Sequence, residues 1–183
     1  AVKVMKTDLV GLVELLPSFT QEASIMEHIR CPYIVNFIGS VTTPDTLCLV
    51  TEFCALGSLR KFLGTQTTPP ELKFRFYQDI ARGMEYLHQN DIIHRDLKTD
   101  NVLVYSKNPH DPITAKVTDF GTSRSFIEAS SKVAIQQIGT PVYMAPEISA
   151  KNQMTLKCDV YSFAICLLEV WIGKDVYDSN KFP

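Results

Sequence analysis

The sequence contains no C-x-x-C pair, and its five cysteines, Cys31, Cys48, Cys54, Cys158 and Cys166, are odd in number and scattered. That disfavours both a disulfide framework and a zinc site, and leaves reduced thiols that mostly fill core. Four histidines (His28, His88, His94 and His110) lack metal-ligand spacing, which argues against a bound transition metal. No excess of one charge exists either, since the formal net charge is -2. Without a global basic field, neither nucleic acid nor an anionic membrane surface is expected as the main partner, and any basic site is local. Long apolar runs are also missing. The longest, Phe163 to Ile172, carries Glu169 and is far too short to span a bilayer, and the N-terminus has no charged-then-apolar signal pattern. A cytoplasmic protein with no membrane insertion is expected. No G-x-x-x-x-G-K-[ST] sequence occurs, which disfavours a nucleotide hydrolase of the P-loop kind. Internal repeats and low-complexity tracts are absent as well.

What is present suffices for a core: 183 residues, 45% hydrophobic, compatible with one domain or one domain plus a small lobe. AVKVMK alternates like a strand from residue 1, with no turn before it, as though the strand had lost its beginning. Pro17 and Ser18 introduce FTQEASIMEHIR, where Ser18 and Gln21 have capping-box spacing and Phe19, Met26 and Ile29 share a helical face. IVNFIGSV and TLCLVTEF read as two strands joined through Thr43, Pro44 and Asp45. GSLRKFLG reads as a short helix between glycines. From Pro70 to Asn90, Leu72, Phe76, Ile80, Met84 and Leu87 recur every three or four residues, which predicts an amphipathic helix. CDVYSFAICLLEVWIG is nearly apolar all round and predicts a helix buried in the middle of a lobe, ending at Gly173.

Between these elements lies IIHRDLKTDNVLV, Ile92 to Val104, a polar knot flanked by β-branched runs. Such runs pack as short strands, while the knot must hydrogen-bond itself or a ligand. SKNPHDPI follows as a surface turn connecting strands.

HRDLKTDN (His94 to Asn101), DFG (Asp119 to Gly121) and APE (Ala145 to Glu147) occur in that order. They resemble the catalytic loop, magnesium loop and activation-segment end by which eukaryotic protein kinases are generally described. VTEF, GSL and DVYSFAICLLEVW look closest to the tyrosine-kinase-like group of serine/threonine kinases. The resemblance covers essentially the whole chain. It implies an α+β, two-lobed protein kinase fold with a truncated small antiparallel β lobe and a mostly helical large lobe. On that basis residues 1–51 form the remainder of the small lobe without its glycine-rich loop, 52–54 the hinge, and 55–183 a partial large lobe lacking the final helices.

The implied activity is transfer of the γ-phosphate of ATP, with Mg2+, to Ser/Thr hydroxyls of a protein substrate. Phosphoryl transfer needs positioning and charge neutralisation more than covalent help from the protein. By resemblance, Asp96 accepts or orients the substrate hydroxyl proton, and Lys98 brings positive charge to the transferred group. Asn101 and Asp119 supply oxygen ligands to magnesium. Lys3 contacts the α- and β-phosphates and Glu22 pairs with it. Thr51 guards the rear of the adenine pocket, the Glu52 carbonyl and Cys54 N–H bond adenine, and Ala1 and Leu103 sandwich it. Met26, Phe37, His94 and Phe120 form an apolar column between lobes, and Asp159 anchors the catalytic loop backbone.

Lys98 and GTPVYMAPE resemble serine/threonine rather than tyrosine kinases, with Thr140 packing against Asp96 and Lys98. Arg95 implies a phosphate receptor for the activation segment, with Ser125, Ser130 and Ser131 as candidates and an upstream activating kinase as partner. Glu147 would pair with an arginine near the domain end, which this sequence does not contain. The alternative reading is a non-catalytic kinase-like scaffold or binding module, favoured by the missing glycine-rich loop.

Overall fold

The computed structural model describes residues 1–5, 9–43, 46–120, 123–125, 139–151 and 154–176, with side chains omitted at 9–14, 124–125 and 149–151. Its first part is a three-stranded antiparallel sheet in the order β1-β3-β2, built from β1 (Val2–Met5), β2 (Phe37–Thr43) and β3 (Thr46–Thr51). β1 runs against the central β3 with Lys3 opposite Leu49. The register of β2 on β3 shifts between Phe37 and Gly39. Leu47 and Leu49 point into the core, where they meet Phe19 and Met26 of helix α1 (Leu9–His28).

Helix α1 differs from its sequence expectation. It begins at Leu9 and runs through Pro17 instead of starting after it. Proline removes one N–H from a helix ladder, here the donor to the carbonyl of residue 13. The hydroxyls of Ser18 and Thr20 donate to the carbonyls of Leu15 and Leu16 at 2.9 and 2.8 Å. Ser18 therefore bonds backwards inside a helix, so the capping-box spacing with Gln21 marks no helix start.

The second part is mainly helical. Helix α2 (Leu59–Thr65) is capped by Ser58, whose side chain accepts from the Lys61 amide. Helix α3 (Pro70–Gln89) opens on proline, whose missing N–H costs nothing in a first turn, and buries the predicted stripe of Leu72, Phe76, Ile80, Met84 and Leu87. Phe62 and Phe76 meet edge to face at 5.9 Å between centroids. Short strands bracket the polar knot: β4 (Ile92–Ile93) pairs with β7 (Arg124–Ser125), and β5 (Val102–Val104) pairs with β6 (Ala115–Val117), both antiparallel. Gly83 of α3 lies so close to β6 that a Cβ there would sit 3.0 Å from the Tyr33 carbonyl and 3.1 Å from Val117.

A short helix α4 (Pro146–Lys151) precedes α5 (Leu156–Ile172), which is capped by Thr155 and closed by Gly173 at φ 74°. The expectation that α5 is buried all round is not met. One face, carrying Cys158, Asp159, Ser162, Cys166, Glu169 and Val170, is buried, while Val160, Leu168 and Trp171 are 57%, 43% and 59% exposed. The inward face is the one that holds the polar anchors. Its carboxylates and hydroxyl bind the loops above them.

Candidate active site

The knot at 92–104 is held from below by Asp159. Its two oxygens accept from the backbone N–H of His94 and Arg95, each at 2.9 Å, and His88 Nε2 lies 3.0 Å from Oδ2. These bonds fix a loop in which Arg95 has φ 70°, a conformation that costs of order 1–3 kcal/mol in a non-glycine residue and persists only where its surroundings impose it. The His94 ring meets Thr118 O at 3.0 Å and packs 5.6 Å from the Phe120 ring. Phe120 and Met26 are buried, with Phe37 packed against the same cluster.

Above that base, Asp96 collects donors from three residues on two segments. Oδ2 accepts from Lys98 Nζ at 2.7 Å and Asn101 Nδ2 at 3.1 Å. Oδ1 accepts from the Thr140 amide at 3.0 Å and hydroxyl at 2.9 Å. Lys98 also donates to the Thr140 hydroxyl at 2.8 Å. Charge-assisted bonds of this kind are stronger than neutral ones and fix the carboxylate plane.

A second cluster joins the sheet to the end of β6. Lys3 Nζ lies 3.0 Å from Glu22 Oε1 and 2.9 Å from Asp119 Oδ1. Burial pushes the Glu22 carboxyl above its ordinary value in spite of Lys3, because Glu22 is nearly enclosed. Lys3 is lowered by its own partial burial, but the charges of Asp119 and Glu22 outweigh this and leave it raised. Asp119 has φ 66°. The two clusters are linked by backbone, since the Thr118 amide donates to Asn101 O at 2.9 Å. Asp96, Lys98 and Asn101 thus form one group, and Lys3, Glu22 and Asp119 another beside it.

The donor set suits magnesium. Asn101 Nδ2 donates to Asp96 O and Oδ2 at 2.8 and 3.1 Å, leaving its carbonyl oxygen as the group available to a hard cation. Among the described residues no three His, Cys, Asp or Glu side chains gather as a metal cage.

The remaining candidates are Ala1, Thr51, Glu52, Cys54 and Leu103. Ala1 and Thr51 exchange backbone bonds, Thr51 N to Ala1 O at 2.9 Å. The Thr51 hydroxyl donates to the Glu52 carbonyl at 3.2 Å, Cys54 is buried, and Leu103 is half-buried opposite Lys116 in the β5–β6 ladder. Ser130 and Ser131 lie outside the described residues, as do Gly121, Pro44 and Asp45, and the side chain of Ser125 is not described.

Several side-chain contacts that sequence reasoning did not single out shape the site. The Glu52 carboxylate accepts from Lys116 Nζ and the Asn36 amide, both at 2.6 Å. Thr99 and Tyr143 both reach the buried Glu169. Only Glu169 left a readable signal, as the lone acid in an apolar run, a costly placement unless bonded.

The family model described as protein tyrosine and serine/threonine kinase matches residues 1–181. Serine/threonine-protein kinase STY17 of Arabidopsis thaliana is 38% identical over 97% of this chain and 30% of its own length. The probable serine/threonine-protein kinase gdt9 of Dictyostelium discoideum is 39% identical over 94% of this chain and 12% of its own. Serine/threonine/tyrosine-protein kinase HT1 of Arabidopsis thaliana is 38% identical over 86% of this chain and 39% of its own. The chain therefore spans well under half the length of these relatives. No helix among the described residues is long and apolar enough to cross a membrane.

Proposed function

The chain belongs to the protein tyrosine and serine/threonine kinase family, within its tyrosine-kinase-like group, and from that premise we propose that it transfers the γ-phosphoryl group of ATP to Ser/Thr hydroxyls of proteins. The observation that carries this reading is the Asp96 carboxylate, fixed by Lys98, Asn101 and Thr140 on a loop pinned to Asp159. In the step, the acceptor oxygen bonds to the γ-phosphorus while the bond to the bridging oxygen of ADP breaks, and the hydroxyl proton passes to Asp96. Lys98, between Asp96 and Thr140, supplies positive charge to the group in transit. Lys3, steadied by Glu22, binds the α- and β-phosphates. Asn101 and Asp119 are the residues that would hold magnesium, which when bound neutralises phosphate charge.

The adenine end is assigned to Ala1, Thr51, Leu103 and the backbone of Glu52 and Cys54. In this reading residues 1–51 form the small lobe, 52–54 the hinge and 55–183 the large lobe. The partners it implies are a cytoplasmic protein substrate and an upstream activating kinase. Preference for Ser/Thr is supported by the names of STY17 and gdt9, while that of HT1 includes tyrosine as well, and by the contact of Thr140 with Asp96 and Lys98.

The test is ATP- and magnesium-dependent labelling of Ser-, Thr- and Tyr-centred peptide pools. Labelling of the Ser and Thr pools, abolished by Asp96→Asn, is expected. If nucleotide binds but no pool is labelled, the binding-module alternative holds instead.

A further inference from the structure

Helix α3 grips the chain that enters β6 by its acceptors and by its donors. Arg75 Nη2 donates to the carbonyls of Asp111 and Pro112 at 3.0 and 2.9 Å. One turn along the helix, Asp79 Oδ2 accepts from the Thr114 amide at 2.6 Å, the Thr114 hydroxyl at 2.8 Å and the Ala115 amide at 3.2 Å. Residues four apart on a helix share a face, so a cation and an anion side by side hold consecutive peptide groups of one passing segment. The pair is a poor stabiliser. Asp79 and Thr114 are wholly buried, and Arg75 Nη2 stands 3.8 Å from Asp79 Oδ1. Among the described residues neither Arg75 Nε nor Asp79 Oδ1 has a hydrogen-bond partner. A buried ion pair left half satisfied contributes less than apolar packing of the same volume, so stability alone gives it little reason to be there. What it fixes is the start of β6. Gly83, one turn beyond Asp79, lets the same helix close on Val117 and the Tyr33 carbonyl, so α3 meets the strand at both ends.

We propose that Arg75 and Asp79 are positioning residues for nucleotide binding: by holding the carbonyls of 111–112 and the amides of 114–115 they set where β6 lies along α3, and with it the places of Lys116 against Glu52 and of Asp119 against Lys3. This rests on the kinase reading above. Nearly every residue of the segment that follows the grip touches the site. Lys116 Nζ donates to Glu52 Oε1 at 2.6 Å, beside the backbone assigned to adenine. The Val117 amide donates to Tyr33 O, and its carbonyl accepts the Val35 amide, both at 2.9 Å. The Thr118 amide donates to Asn101 O at 2.9 Å, and Asp119 Oδ1 accepts from Lys3 Nζ at 2.9 Å. An extended chain transmits a displacement along its axis, since each residue advances about 3.3 Å and cannot stretch further. Loosening at Thr114 therefore reaches the adenine end through Lys116 and the phosphate end through Asp119. Asp96 is held separately, by Lys98, Asn101 and Thr140. The expected signature is weaker nucleotide binding with the chemical step little changed.

The experiment compares Thr114→Val, which keeps shape and removes the hydroxyl donor to Asp79, with Thr114→Ser, which restores it. Arg75→Met, at a side chain 23% exposed, removes the other half of the grip and keeps the stem. Expected in Thr114→Val and in Arg75→Met is a KM for ATP, at fixed magnesium, raised at least about fivefold with kcat within about twofold, and recovery in Thr114→Ser. Amide hydrogen exchange supplies a readout independent of activity. The Val117 and Thr118 amides, which donate to Tyr33 and Asn101, are expected to exchange about tenfold faster in both variants while the amides of α5 do not change. Support requires both results. An unchanged KM overturns the proposal, and so does unchanged exchange at Val117 and Thr118. A fall in kcat with exchange rising evenly over the chain, not recovered by Thr114→Ser, also overturns it, as the signature of a merely structural bond. If the parent protein transfers no phosphate, the kinase reading fails separately, and the exchange result alone decides whether the grip of α3 holds β6 in place.

Discussion

Lys3 and Asp119, 116 positions apart in the sequence, meet at 2.9 Å. Both side chains are nearly half exposed, and exposed pairs of this kind contribute about 1 kcal/mol or less to stability. Lys3→Met is therefore expected to move the denaturation midpoint little. Phosphoryl transfer is expected to fall at least about a hundredfold, since the same ammonium is assigned to the phosphates. Urea unfolding beside a peptide-labelling assay checks both. A large stability loss with activity retained would contradict the assignment.

Glu22 gives a pH-dependent companion. Its carboxyl is raised above the ordinary 4.5 because burial outweighs the attraction of Lys3. Below that value folded and unfolded chains both hold the proton, and Glu22→Gln is expected to match the parent. As pH rises the unfolded chain releases its proton first, so ionisation favours unfolding until the pH passes the raised folded pKa. The Gln variant is accordingly expected to gain stability over the parent between about pH 4.5 and neutrality, while losing activity because Lys3 is no longer held. Thermal melts of both proteins from pH 4 to 7.5 measure this, and a gap that narrows with rising pH would refute it.

Gly139 cannot carry a side chain. Its φ is 121°, and a Cβ there would lie 2.8 Å from the Arg95 carbonyl oxygen. Arg95 has no room to yield, because its amide is bonded to Asp159. Gly139→Ala is expected to cost about 1–3 kcal/mol in stability. It is also expected to lower kcat by displacing the adjacent Thr140 from Asp96. Chemical denaturation and steady-state kinetics read the two effects, and a silent substitution would argue against this close approach.

Legibility in the sequence followed the range of the interaction. The α3 stripe from Leu72 to Leu87 is readable because one face repeats at helical period and local hydropathy coincides with burial. Ser18 misleads for the opposite reason: its spacing to Gln21 fits a cap, yet upstream residues extend the helix through Pro17 and turn the hydroxyl back on Leu15. Helix α5 is harder to read because hydropathy gives no sign that Asp159 and Glu169 lie on its buried face, where they bind the amides of His94 and Arg95 and the hydroxyl of Thr99. At the site, Asp96, Lys98 and Asn101 are legible as a contiguous cluster. Pairing of Lys3 with Glu22 depends on folding over a long separation and enters only through family resemblance, and the contact of Lys3 with Asp119 is visible in the structure alone. Contacts of Glu52 with Lys116 and a backbone amide leave no pattern at all.

Those last contacts carry a final prediction. Lys116 is buried, donates to Glu52 Oε1 at 2.6 Å, and lies 4.5 Å from the centroid of the Tyr105 ring. The same oxygen accepts the Asn36 amide at 2.6 Å, so one carboxylate ties the segment after α1, the β3 exit and strand β6 together. Removing only the cation leaves a partly enclosed carboxylate with a single neutral donor, which is costlier than losing the pair. Lys116→Met is expected to destabilise by about 2–4 kcal/mol. Adding Glu52→Gln, which can still accept from Asn36, is expected to recover at least about 1 kcal/mol of that loss. A double-mutant cycle by urea denaturation measures the coupling. Additive effects would mean that Lys116 acts through its packing on Tyr105 and not through the charge of Glu52.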